Sequence, residues 1–164
     1  MAIDVRTLAL RRGAFTYLSL LGIQSAAATA LLWTVFPIFQ QIMTRPGEPG
    51  LLDAATATSA IAAVVVMQVC YWTRYHHVPL WVPVHSTAAG HVLMFASRAS
   101  FFFGGALFTA IFFRHAPQLY ALPPLGQSIA KAIGIMALLF ALFCYSLELE
   151  RLGRAIEERA DKAG

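Results

Sequence analysis

The sequence predicts an all-α protein, an integral membrane bundle of about four transmembrane helices. Two observations carry that expectation. Hydrophobic residues fill 59% of the 164 positions and charged residues only 12%, where an ordinary soluble domain carries about 25% charged residues. The apolar residues are also gathered into four stretches separated by Pro- and Gly-containing segments. Each stretch is long enough to cross about 30 Å of hydrocarbon as a helix, the form that satisfies its own backbone in lipid.

The first predicted span covers residues 14–42 and holds Trp33, Phe36 and Pro37, the proline being placed to kink its outer third. Its length suggests tilt or an interfacial end. Arg6, Arg11 and Arg12 precede it much as charges precede the apolar run of a signal peptide. The run is too long for that, and no small-residue cleavage site interrupts it, so it is taken as a retained span. Thr44 to Gly50, TRPGEPG, stops the helix and turns the chain.

The second span, 56–75, is built on AIAAVVVMQVCYW, with Tyr71 and Trp72 where an aromatic belt meets headgroups. Pro79 and Pro83 in HHVPLWVPVH oppose further helix, and Trp81 is expected at the interface. The third span, 86–113, ends at Arg114 and His115, before Pro117, Pro123 and Pro124. The fourth, 125–147, runs on into LELERLGRAIEERADKAG, so 148–164 is expected as a charged cytoplasmic helical tail. Leu149, Leu152 and Ile156 form a narrow apolar stripe on it, for a partner or simply a solvated end. Residues 1–164 thus make a single transmembrane domain.

Charge sets the expected orientation. With the N-terminus inside, Arg6, Arg11, Arg12, Arg74, Arg151, Arg154, Arg159 and Lys162 collect on the cytoplasmic side. Only Arg45, Arg114 and Lys131 fall outside, as the positive-inside rule prefers. Both termini are then cytoplasmic and, in a bacterium, the membrane is the inner one. The basic residues form no stripe or aromatic-basic patch, which excludes a nucleic-acid partner. Cys70 and Cys144 lie in separate predicted spans with no second Cys nearby, and act as small apolar filler.

Arg98 is the most informative single residue. Counted from Ser86 it lies near mid-membrane, where an arginine is costly and faces a bundle interior, a wet cavity or a partner. No Asp or Glu falls within the four predicted spans, which leaves Gln24, Ser25 and Gln68 as weak help and a ligand, lipid phosphate or second subunit as counter-charge. Absence of an intramembrane carboxylate also weighs against proton pumps and cation transporters. His91 shares a face with Arg98 two turns away, flanked by Phe95 and Phe102. Gly90, Ser97 and Gly104 repeat every seventh residue, a small-residue face for close helix approach to an internal or external partner.

His76, His77, His85 and His91 gather around the loop between the second and third spans, as haem or metal ligands or as an interfacial loop without cofactor. No phosphate-binding loop, dinucleotide fingerprint, nucleophile elbow or HExxH occurs, and the balance favours a non-enzyme. The leading expectation is a non-catalytic subunit or accessory and assembly protein of a larger inner-membrane complex, packing through the third span. Its ligand- or partner-binding residues are Arg98, His91, Gly90, Ser97 and Gly104. Its partners are membrane lipids and other membrane-protein subunits or a second copy of the chain, with no cofactor favoured. An alternative is a cytochrome-b-like or quinone-handling electron-transfer anchor carrying haem b. A further alternative is a protein handling lipid or a small anion, with Arg98 on a phosphate.

Overall fold

A computed structural model describes residues 5–45, 53–78, 80, 86–115 and 125–161, with side chains for 13–41, 43–45, 53–78, 80, 86–106, 129 and 132–160. The described residues form α1 (Val5–Thr44), α2 (Ala54–His77), α3 (Thr87–His115) and α4 (Leu125–Asp161). The inter-helix segments with Trp81, His85 and Pro117, and the side chains of Arg11, Arg12, Arg114 and Lys131, lie outside the described residues.

Three stretches, Gly13–Gln41, Ala54–His77 and Ala132–Ala160, are long and apolar enough to cross a membrane. Surface composition agrees. Trp33, Phe36, Ile61, Val65, Phe102 and Phe140 point outward, whereas Gln24, Arg74, Ser97, Ser146 and Glu148 are buried. Large apolar groups outside and polar groups inside invert the soluble pattern and mark an integral membrane protein.

Pro37 sits inside the 40-residue α1 without ending it. Hydroxyls along the helices turn back on their own backbones: Thr29, Thr34 and Thr44 donate to the carbonyls of Ser25, Ala30 and Gln40 at 2.8–2.9 Å. Thr58 and Ser100 do the same to Ala54 and Ala96. In lipid such bonds remove the cost of a bare hydroxyl.

Helices α1 and α2 pack as one antiparallel pair and α3 and α4 as another; α2 also lies beside α4, and α2 and α3 occupy one diagonal. The α1/α2 seam uses Ala28, Leu31 and Val35 against Ala60, Ala63, Val64 and Met67, closed by Ala141 and Leu142 of α4. The α3/α4 seam is narrower. A Cβ on Gly90 would stand 2.9 Å from the Gly153 carbonyl oxygen, and one on Gly153 2.9 Å from Met94 Cγ. Ser97 donates to the Ser146 carbonyl at 2.8 Å, and Gly104 receives Leu142. The small-residue face of α3 is therefore occupied by this chain's own α4, because only hydrogen at Gly90 and Gly153 lets the backbones approach so closely.

Helix α4 continues unbroken to Asp161, and its charged end packs on the bundle. Leu152 and Ile156 are buried with Tyr17 of α1, and Leu21, Val78, Leu80, Ala89 and Leu93 close around them. Leu149 is buried as well. The apolar stripe thus serves an internal contact.

Substituting Gly153→Leu is expected to force the α3/α4 seam apart and cost about 1–3 kcal/mol, as overpacking does. Gly134→Ala, where no atom lies within 4 Å of the new Cβ, is expected to leave stability unchanged or slightly raised. Thermal unfolding of both variants in one detergent checks the contrast.

Candidate functional site

A polar level crosses the bundle where α4 turns from apolar to charged. Helix α1 supplies Tyr17 and Gln24, seven residues apart and so on one face. Helix α2 supplies Arg74 from its last turn, and α4 supplies Glu148. All four side chains are buried, Arg74 to 1% exposure.

Tyr17 Oη donates to Glu148 Oε1 at 2.8 Å. The Arg74 guanidinium carbon lies 5.4 Å from the centre of the Tyr17 ring, and its Nη2 donates to Gln24 Oε1. Cation and carboxylate are thus linked through one tyrosine, whose ring meets the cation and whose hydroxyl meets the anion. Arg74 Nε and Nη1 and Gln24 Nε2 make no hydrogen bond among the described residues. Around this core, Tyr145 donates to Ser25 at 3.0 Å and Gln68 approaches Cys144 Sγ at 3.9 Å. Arg151 lies 6.0 Å from the Tyr75 ring centre.

Arg98 belongs to the same level, on the outside. Along α3 it lies near the middle of the helix, and register with α4 sets it beside the start of the charged sequence there. Ser97 meets Ser146, and Arg98 lines a lateral groove with Ser146, Leu147 and Glu150, where α4 becomes charged. The first two turns of α3 lie beside Gly153 and Glu157, below the apolar part of α4. Gln24, Ser25 and Gln68 turn to Arg74, Tyr145 and Cys144 rather than to Arg98.

The groove lies between α3 and α4 and encloses about 900 Å³, open to the surroundings. Phe101, Phe102, Ala106 and Phe143 line it above Arg98, and Ser97 and Ser146 bond each other at its floor. Glu150 at its rim is paired with Arg154 one turn along α4.

The histidines have other neighbours. His91 Nε2 lies 3.1 Å from Glu157 Oε1 at the surface. His76 stacks on Trp72 at 5.5 Å and meets Tyr75 and His77 edge-on. His85 lies outside the described residues. Among the described residues no group of three or more His, Cys, Asp or Glu side chains is placed to hold a metal ion.

Of the sequence-selected residues, Gly90, Ser97 and Gly104 come together on one α4 face, Arg98 opens on the groove, and His91 joins Glu157. Tyr17, Arg74 and Glu148 escape a reading by spans, since Arg74 counts as a topology charge and Glu148 falls one residue past the fourth span. One signal was available. Glu148, Leu152 and Ile156 recur every fourth residue, which puts an acid in line with an apolar stripe. Comparison with known proteins gave no match to a family model, to a curated protein or to a solved structure.

Glu148→Gln removes the buried carboxylate that Tyr17 links to Arg74, and is expected to destabilise the bundle by about 3–5 kcal/mol, as loss of one charge from a buried cation–anion network does. Tyr17→Phe strips the carboxylate of one hydrogen bond and is expected to cost about 1.5–3 kcal/mol. Arg98→Gln, at the exposed groove, is expected to stay within about 0.5 kcal/mol of the parent. Unfolding in a common detergent ranks the three, and equal losses would contradict the linkage.

Proposed function

We propose that the chain is a four-span inner-membrane protein with both termini in the cytoplasm, acting as a non-catalytic subunit or accessory protein of a larger membrane complex. Helix lengths support four spans. From the polar level, Ala54–Thr73 of α2 and Ile129–Leu147 of α4 each rise about 27–29 Å, and Ser97–His115 of α3 rises about 27 Å. All three match one hydrocarbon layer of about 30 Å. Trp72 and Tyr75 sit at its edge with Arg151, as interfacial anchors do. The surplus of Arg and Lys on that side supports a cytoplasmic assignment.

One observation carries the subunit reading. The outer face of α3 stays apolar beyond the level at which α4 has become charged: Val92 is 66% and Phe95 74% exposed, beside the His91–Glu157 pair. Lipid tails cover Phe102, but Val92 lies level with Gly153 and Arg154, outside their reach. Exposed apolar surface bordered by charge is the character of a protein-docking patch. The small-residue face being taken by α4, the partner contact moves to this outer face.

A photo-crosslinking residue at Val92 or Phe95, activated in the native membrane, is expected to trap one protein of defined mass, and at Ile133, within the span, to trap none. Lipid adducts alone at Val92 and Phe95 would overturn the subunit reading. Green fluorescent protein fused after Gly164 is expected to fluoresce and alkaline phosphatase fused there to stay inactive. The reverse pattern would invert the orientation.

A further inference from the structure

The α3/α4 groove joins a cation and an apolar aromatic wall. At its head stands Arg98, exposed, with no hydrogen bond or ion pair among the described residues. The acid nearest along the rim, Glu150, is engaged by Arg154 and leaves the positive charge of Arg98 uncancelled. Above Arg98 the walls are Phe101, Phe102 and Phe143, all exposed and all within the apolar part of the bundle. Phe101 and Phe143 meet edge to face at 6.2 Å, which ties the two walls together across the groove.

Depth decides what such a groove can receive. Leu147 and Glu150, which share the groove with Arg98, bracket the change from apolar to charged sequence on α4. Arg98 therefore stands at headgroup level, with the aromatic walls running inward along acyl chains. A free anion would find the charge but no use for the apolar walls. A neutral chain would fill the walls and leave the charge without a partner. A molecule with an anionic head and an apolar tail satisfies both, because a guanidinium donates in a planar fork that fits phosphate oxygens.

We propose that this groove is a binding site for an anionic glycerophospholipid, with the phosphate on Arg98 and one acyl chain along Phe101, Phe102 and Phe143. The site is separated from the docking patch of the accessory-subunit reading by depth, since its lining begins at Ser97 while that patch ends at Phe95, one turn nearer the charged end of the bundle. Bound there, the lipid seals the seam between α3 and α4 from the membrane side, just above the Ser97–Ser146 contact.

The test is native mass spectrometry of the full chain released from nanodiscs of equal dioleoylphosphatidylglycerol and dioleoylphosphatidylcholine. Both lipids offer a phosphate, but the choline cation of phosphatidylcholine opposes Arg98, so the parent protein is expected to retain one phosphatidylglycerol in preference by about fivefold or more, the factor that a like-charge term of about 1 kcal/mol supplies. Arg98→Gln is expected to lose that preference, Arg98→Lys to keep part of it, and Arg159→Gln on the distal turn of α4 to keep all of it. Glycerol 1-phosphate in millimolar excess is expected not to displace the lipid. Equal retention of both lipids by the parent, or an unchanged preference in Arg98→Gln, would overturn the proposal. Displacement by glycerol 1-phosphate would replace it with a headgroup-only site, and a protein adduct from a photo-crosslinker at Phe101 would replace it with an acidic partner helix.

Discussion

A guanidinium that cannot reach water is the constraint around which this bundle is arranged. Arg74 is held at the inner end of α2 with its charge facing Tyr17 and Gln24 of α1, and Tyr17 in turn holds Glu148 of α4. A buried charge without compensation is among the costliest defects a fold can carry. Three helices are therefore obliged to meet at one height and at one rotation. The fourth, α3, is set against α4 by contacts with no charge in them, the Gly90–Gly153 approach and the paired serines Ser97 and Ser146.

These two kinds of contact divide the work of assembly. In lipid the apolar face of a helix gains little by turning inward, since acyl chains surround it equally well. Close packing and polar linkage hold the helices together instead. The described structure shows both: Ala28, Ala141 and the glycines let backbones approach, and hydroxyl, amide and carboxylate groups supply direction. Trp33, Phe36, Ile61 and Phe140 are left for the periphery, where their bulk faces outward rather than toward another helix.

The polar level also organises the exterior. Above it Trp33, Ile61, Phe102 and Phe140 lie exposed on the four helices; below it α4 bears Arg151, Arg154, Glu158 and Arg159 while α3 still shows Val92 and Phe95. That mismatch between neighbouring helices supports a partner on α3. Arg98, at the level itself, lines the groove against α4, so α3 offers two surfaces at successive depths, Val92 and Phe95 first and the groove one turn further on.

Composition and hydropathy along the chain sufficed for the helical class, for the places where helices break and for the small-residue face of α3, because these depend on the order of residues alone. Arg98 and the histidines were likewise visible as polar residues in apolar surroundings. Their neighbours were not. Whether Gly90 and Ser97 meet an outside helix or α4, and what lies beside Arg98, depends on how far one helix slides past another, and a periodic pattern is unchanged by that slide. Tyr17, Arg74 and Glu148 lie 131 positions apart at the extremes of the chain, and no local pattern relates them. Sequence by itself determined which segments are helical and which faces are small or charged; tertiary structure decided their pairing, because only the register of one helix against another sets Tyr17 between Arg74 and Glu148 and Gly90 against Gly153.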